Sequence, residues 1–171
     1  MTDILRTDRL RLRLVTEDDA PFYLALVNDP AFIVHIGDRQ LRTVDAARRG
    51  LIEGPIAMQE KYGHSLYLVE RLDDGKPLGL LGLVKRDTLE YVDIGYAFLP
   101  QHRGYGYAFE AGQAVVRHAA ALGIRRLAAI TTPANTASIA LLLRLGLRFE
   151  RSASLAPDQP PVNIYLAELD G

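Results

Sequence analysis

The stretch from residue 65 to residue 98 restricts the fold of this chain more than any other segment. Ser65 to Arg71 reads as one strand and Pro77 to Lys85 as its partner. Between them, Asp73-Asp74-Gly75-Lys76 supplies the residue types a hairpin turn needs. Leu89 to Phe98 reads as a third strand, ending at Leu99-Pro100. Three successive strands with short connections make an antiparallel meander.

The flanking segments add helices and further strands. Arg9 to Leu14 alternates strictly between arginine and leucine, the pattern of a half-buried strand with its arginines on the wet face. No aromatics interleave with those arginines, so they do not read as a nucleic-acid stripe. Thr16-Glu17-Asp18-Asp19 opens a helix that runs to about Asn28 and stops at Asp29-Pro30. A loop follows around His35 to Asp38. Val44 to Tyr62 is helical again, kinked or broken near Gly54-Pro55. After the meander come a helix over Tyr107–Leu122, a strand over Arg126–Thr131 and a helix over Asn135–Leu145. Two last strands, Leu147–Ala153 and Val162–Leu169, are joined by a loop holding Pro157, Pro160 and Pro161. The order implies a single α/β domain with a mixed, mostly antiparallel sheet of about six to seven strands and helices on both faces.

At 171 residues the chain fits one domain over residues 1–171. It has no cysteine, so disulfides, thiolate metal sites and thiol nucleophiles are excluded. Its four histidines show no metal-ligand spacing, and no metal is expected. A net charge of −1 gives no bulk attraction to nucleic acid. The apolar stretches are too short for a membrane span, and the N-terminus has early acids and no apolar signal region. A cytoplasmic location is the expectation.

The chemistry concentrates where the meander ends, at Gln101-His102-Arg103-Gly104-Tyr105-Gly106. A helix N-terminus carries backbone N–H groups without intrahelical partners and the positive end of the helix dipole. Both favour an anion, above all a phosphate. Gly104 and Gly106 remove side chains that would block its approach and permit the backbone angles of an anion-cradling turn. Arg103 adds a cation at the rim. An ordinary tight turn has the same two glycines. The chain has no P-loop motif, and Phe109 stands where a dinucleotide fingerprint needs a third small residue.

Gln101-x-x-Gly104-x-Gly106 resembles the pyrophosphate loop of the GNAT acetyltransferase superfamily. Asp93-Ile94-Gly95-Tyr96, Pro100, and Gly106-Tyr107-Ala108-x-Glu110-Ala111 resemble the branch holding the ribosomal-protein N-terminal alanine and serine acetyltransferases. Asn135-Thr136-Ala137-Ser138, followed by Leu141-Leu142-x-Arg144-Leu145-Gly146-Leu147, resembles that family's second cofactor segment. The opening Thr7-Asp8-Arg9-Leu10-x-Leu12-Arg13 fits as well, so the resemblance runs from about residue 7 to residue 169.

The resemblance implies a single GNAT-like domain that uses acetyl-CoA or another acyl-CoA as co-substrate. Backbone N–H groups of His102, Arg103, Gly104, Tyr105, Gly106, Tyr107 and Ala108, after Gln101, would hold the pyrophosphate. A bulge near the end of the meander would splay two strands apart for the pantetheine arm, with the backbone of Ala97, Phe98 and Leu99 pairing to it. One N–H, at Ala97 or Phe98, would bond the thioester carbonyl. Asn135 would bond the arm, cap its helix, or do both. Ser138 would sit by the thioester sulfur as proton donor, because the tyrosine many members carry in this helix is here Leu142; a plain helix serine is the other reading. Asp93 would act through a water as general base, with Glu90, Glu110, Tyr96 and His64 in reserve. His35 and Asp38 would line the acceptor side.

The reaction implied is direct attack of a primary amine on the thioester, with the amine on a protein N-terminus or a small molecule. The family branch often forms dimers, but nothing in these residues decides the oligomeric state. Two other readings compete. One is a catalytically silent acyl-CoA-binding module. The other is a nucleotide-binding regulatory domain, which leaves the Asn135/Ser138 segment without a reason.

Overall fold

The computed structural model describes residues 2–170. Among the described residues eight strands form one sheet. They are β1 (Asp3–Arg6), β2 (Leu10–Leu14), β3 (Leu66–Arg71), β4 (Pro77–Val84), β5 (Asp93–Phe98), β6 (Arg126–Thr131), β7 (Arg148–Ala153) and β8 (Val162–Glu168). Their order is β1-β2-β3-β4-β5-β6-β8-β7, and every contact is antiparallel except β5 with β6. The helices are α1 (Ala20–Val27), α2 (Pro30–His35), α3 (Val44–Leu51), α4 (Ala57–Tyr62), α5 (Tyr107–Ala121) and α6 (Thr136–Arg144).

The meander is present as β3, β4 and β5, with β5 shorter than its apolar run because the chain reaches the sheet only at Asp93. The strand count exceeds the expected six to seven. The addition is β1, four residues that pair back onto β2. The short α2 was also not foreseen. Asp29 caps it, accepting a bond from the Phe32 N–H at 3.3 Å, with Pro30 at its first position. The helix from Val44 does not break at Gly54-Pro55. It passes through a π-helical turn over Ile52–Ile56 that absorbs the missing proline donor, then continues as α4.

The arginine face of β2 is not wet. Arg13 is 4% exposed and grips Asp19 with two bonds of 2.8 and 2.9 Å. Glu70 on β3 lies opposite and takes Arg11 and Arg13 together. Buried charge survives only when paired, and the register of β2 with β3 supplies the partner.

Two clusters cover the two faces of the sheet. Tyr107, Ala111, Val115 and Ala119 of α5 and Leu142 of α6 pack on one side against β2, β3, β4 and β5. Leu26, Val27, Ala47 and Leu51 pack on the other against Leu68 and Leu80. Among the described residues no helix is long and apolar enough to cross a membrane.

Candidate active site

The parallel contact of β5 with β6 shapes the site. The two strands meet at one residue pair, Asp93 with Ala128, secured by a 2.9 Å bond from the Ala128 N–H to the Val92 carbonyl. Beyond it they diverge, opening a cleft of about 1180 Å³ that runs to the start of α5. The divergence needs no bulge in β5. The register of β5 on β4 is unbroken from Asp93–Val84 to Phe98–Gly79, and the Leu99 N–H extends it to the Leu78 carbonyl at 3.1 Å. Close approach is allowed from β4 instead, where glycines stand against neighbouring backbone at 79 and 82.

That register decides which backbone groups face the cleft. Bonded and non-bonded pairs alternate along an antiparallel ladder. With Leu99 bonded to Leu78, Ala97 exchanges its bonds with Leu80, and Gly95 with Gly82. Ile94, Tyr96 and Phe98 therefore turn their N–H groups to the β6 side, where the strands meet only at Asp93 and Ala128 and the splay leaves Tyr96 and Phe98 open. The expectation that Ala97 and Leu99 offer backbone to a ligand is corrected: Ala97 is committed to β4, and Leu99 donates to Leu78 and accepts from the His102 N–H at 3.0 Å. The cleft-facing donors are Tyr96 and Phe98.

Similar accounting sharpens the loop. The His102 N–H is spent on Leu99, and the Arg103 N–H on the Pro100 carbonyl at 3.2 Å, within a 3-10 turn over Pro100–His102. Gln101 is exposed and lies outside the cleft lining. The donors left are those of Gly104, Tyr105 and Gly106 and the first turn of α5, Tyr107 and Ala108 included. Gly104 and Gly106 have φ of 86° and 80°, left-handed angles that side-chain-bearing residues rarely adopt. The Arg103 side chain does not stand free at the rim. Its Nη2 donates to Asp29 at 3.0 Å and to the Phe98 carbonyl at 2.8 Å, tying the cap of α2 to the end of β5.

At the far wall, Asn135 accepts a 3.2 Å bond from the Ser138 N–H and so caps α6. Ser138 is buried, and its Oγ accepts a 2.5 Å bond from the Tyr96 hydroxyl. Burial raises the Tyr96 pKa, with the Ser138 bond pulling the other way, so the phenol stays a donor near neutral pH. The serine's own proton is left free to point elsewhere. Leu142, where a tyrosine was sought, is core.

The acetyltransferase (GNAT) domain family matches residues 9–148. The chain belongs to the GNAT acetyltransferase family. It is 31% identical over 152 residues to the uncharacterised N-acetyltransferase YoaA of Bacillus subtilis, covering 88% of this chain and 85% of that one. It is similar in fold to the acetyltransferase of Salmonella typhimurium that modifies the N-terminal serine of ribosomal protein L7/L12, with a TM-score of 0.81, 23% identity, and 98% and 99% of the two chains covered. A complex of RimL, the L7/L12 α-N-protein acetyltransferase, with coenzyme A has a TM-score of 0.82 at 23% identity, covering 98% of each chain.

The remaining candidates separate clearly within this GNAT domain. Asp93 is fully buried at the closed end of the splay and does not line the cleft. Its Oδ2 accepts a 2.8 Å bond from Arg86 Nε, while Oδ1 has no partner. Burial raises its pKa and the Arg86 charge opposes that. The carboxylate thus holds Arg86 and makes no direct contact with the cleft. Glu110 is bound by Thr7 and Arg9, and Glu90 is exposed outside the cleft. His64 is buried with its Nδ1 against the Leu83 carbonyl at 3.1 Å. His35 and Asp38 do line the cleft.

Two contacts escaped the sequence, one of them made by a residue held only as a reserve base. Tyr96 enters as the partner of Ser138, 42 positions away. Arg9 braces the glycine loop: it donates to Glu110 at 2.7 Å and to the Tyr105 carbonyl at 2.9 Å, and its guanidinium lies 4.6 Å from the Tyr107 ring centre. The motif that contained Arg9 gave no hint of a contact across 96 positions.

Proposed function

We propose that this domain transfers an acetyl group from acetyl-CoA to a primary amine by direct attack. The carrying observation is the open edge of β5, which presents the Tyr96 and Phe98 N–H groups between the glycine loop and Ser138. Those groups suit the amide-bearing arm of the co-substrate, with one left over for the thioester oxygen. The pyrophosphate would lie against Gly104, Tyr105, Gly106 and the first turn of α5. The RimL complex with coenzyme A supports this reading by its fold.

The amine nitrogen attacks the thioester carbon, and the oxyanion that forms is stabilised by the backbone donor at Tyr96, the cleft-facing N–H farther from the glycine loop. A C–N bond forms, the C–S bond breaks, and the thiolate leaves toward Ser138, whose hydroxyl hydrogen-bonds the developing charge while Tyr96 donates from behind. A protein α-amine has a pKa of about 7.7–8.0, so a neutral fraction is available without a strong base. The proton lost from nitrogen leaves by the acceptor side, where His35 lines the cleft. Positioning supplies much of the acceleration, with no covalent enzyme intermediate. A purely binding module has no use for the Tyr96–Ser138 pair. On this reading the domain works in the cytoplasm, where its co-substrate is at hand.

The test is a calorimetric titration with acetyl-CoA, followed by a primary-amine screen read by thiol release. Micromolar binding and turnover are expected. Gly106→Asp places a side chain and a charge in the cradle and should abolish both. Failure of the intact protein to bind any acyl-CoA would overturn the reading.

A further inference from the structure

The acceptor half of the cleft carries more positive charge than its surroundings neutralise. Arg39 and Arg86 both line it. Arg86 follows the end of β4 and is anchored at Nε by the fully buried Asp93, which leaves its two Nη groups uncommitted. Arg39 makes no ion pair among the described residues; its one aromatic neighbour is the Phe32 ring, 5.9 Å away. Asp38, the single acid in the cleft lining, is already occupied. It accepts from the Gln40 N–H at 2.8 Å and from Arg42 at 2.7 Å. The turn that presents Arg39 is strained, since Gln40 has φ of 59° without being glycine. Such backbone strain persists where surrounding contacts hold it. Tyr23 lines the same side, and its phenol is kept protonated by burial against the pull of Arg39.

From these observations we infer that the acceptor is a small amine carrying a carboxylate, an amino acid or a short peptide, whose carboxylate docks on Arg39 and Arg86. The inference rests on the acetyl-transfer reading of the same cleft. The geometry suits that size. Asp93, which fixes Arg86, lies three residues before Tyr96, about 10 Å along the strand at about 3.3 Å per residue. An arginine side chain spans part of that distance and one or two amino-acid units the rest. A guanidinium fork matches a carboxylate with two parallel bonds. A polyamine or other polycationic acceptor would meet the unpaired Arg39 and the free Nη face of Arg86, whose one acid, Asp93, is buried behind it, with no free acid in the lining to receive it.

The test compares glutamate, glutamine amide and spermidine as acceptors at saturating acetyl-CoA, read by thiol release, with acetyl-CoA binding measured separately. Glutamate is expected to exceed glutamine amide in kcat/KM by about ten-fold or more, the scale of one charge-assisted contact. Spermidine should be the poorest. Arg39→Gln should pull the glutamate-to-amide ratio to below about three, through KM for glutamate, while acetyl-CoA affinity holds. Arg86 is tested as Arg86→Lys, which keeps a cation beside Asp93 and loses the fork; the ratio should fall there too. Turnover of spermidine or the amide at least equal to that of glutamate would overturn the inference and leave acetyl transfer standing. Binding of acetyl-CoA with no turnover of any amine would overturn the transfer reading and this inference with it.

Discussion

The hydroxyl of Ser138 receives one proton contact and offers another. Tyr96 donates to it, and the capped start of α6 holds it beside the cleft. Ser138→Ala should lower kcat about ten- to a hundred-fold, toward the small end of what a positioned proton donor contributes, with KM for acetyl-CoA nearly unchanged. Tyr96→Phe should cost less, since the serine remains. Steady-state thiol release separates the two parameters. Glu110 makes a second prediction with a sign. Burial alone would raise its pKa, but bonds from Thr7 and Arg9 outweigh that and the net shift is downward. A carboxylate with a lowered folded pKa stabilises above its unfolded value and loses that contribution as pH falls through the folded one. Glu110→Gln should therefore melt earlier than the parent at neutral pH, and the gap should close as the buffer is taken below the ordinary carboxylate range. Thermal melts across pH would show it. The Asn135 cap was legible in sequence because capping is local, whereas Ser138 was singled out only through the family resemblance. Tyr96 as the serine's partner and Arg9 as the loop's brace were not legible, because each contact joins residues distant in the chain.

At the level of single elements, β4 carries a constraint that β5 was expected to bear. A Cβ added at Gly82 would press on the Ser65 carbonyl and the Leu66 Cα, both backbone, where no rotamer change gives relief. Gly82→Ala should destabilise the fold by about 1–3 kcal/mol, the usual cost of overpacking, as read by chemical denaturation. The three-strand meander and the helix after the glycine loop could be read from hydrophobic period and turn chemistry alone. The bulge could not be tested that way. Glycines at 79 and 82 are visible in the sequence, but their meaning depends on register, which only pairing reveals. The same holds for Ala97 and Leu99, whose backbone was expected to face a ligand and instead faces β4. The arginines of β2 misled for a related reason: alternation showed that they share a face, and said nothing of Glu70 and Asp19 waiting there.

For the whole molecule, ligand and stability should be linked through the cleft. A co-substrate present at about a hundred times its Kd adds about 2.7 kcal/mol to the folded state. For a chain of this length that corresponds to a rise in Tm of about 5–10 °C. Differential scanning should show the rise with coenzyme A and lose it in Gly106→Asp. The fold class was recoverable from element order. The splay was expected only through the family resemblance, since composition and period contain nothing about how far two parallel strands run together. Here they share a single pair, Asp93 with Ala128. The sheet is thus a book whose two covers are sewn by one stitch, and on the proposed reading the arm of the co-substrate would be a page that belongs to the binding. Inserting it would complete a hydrogen-bonded layer, and releasing the spent coenzyme would tear that layer open again. On that reading each catalytic cycle would undo a piece of secondary structure before the next could begin, and the departure of product, rather than the making of the amide bond, would be the natural brake on turnover.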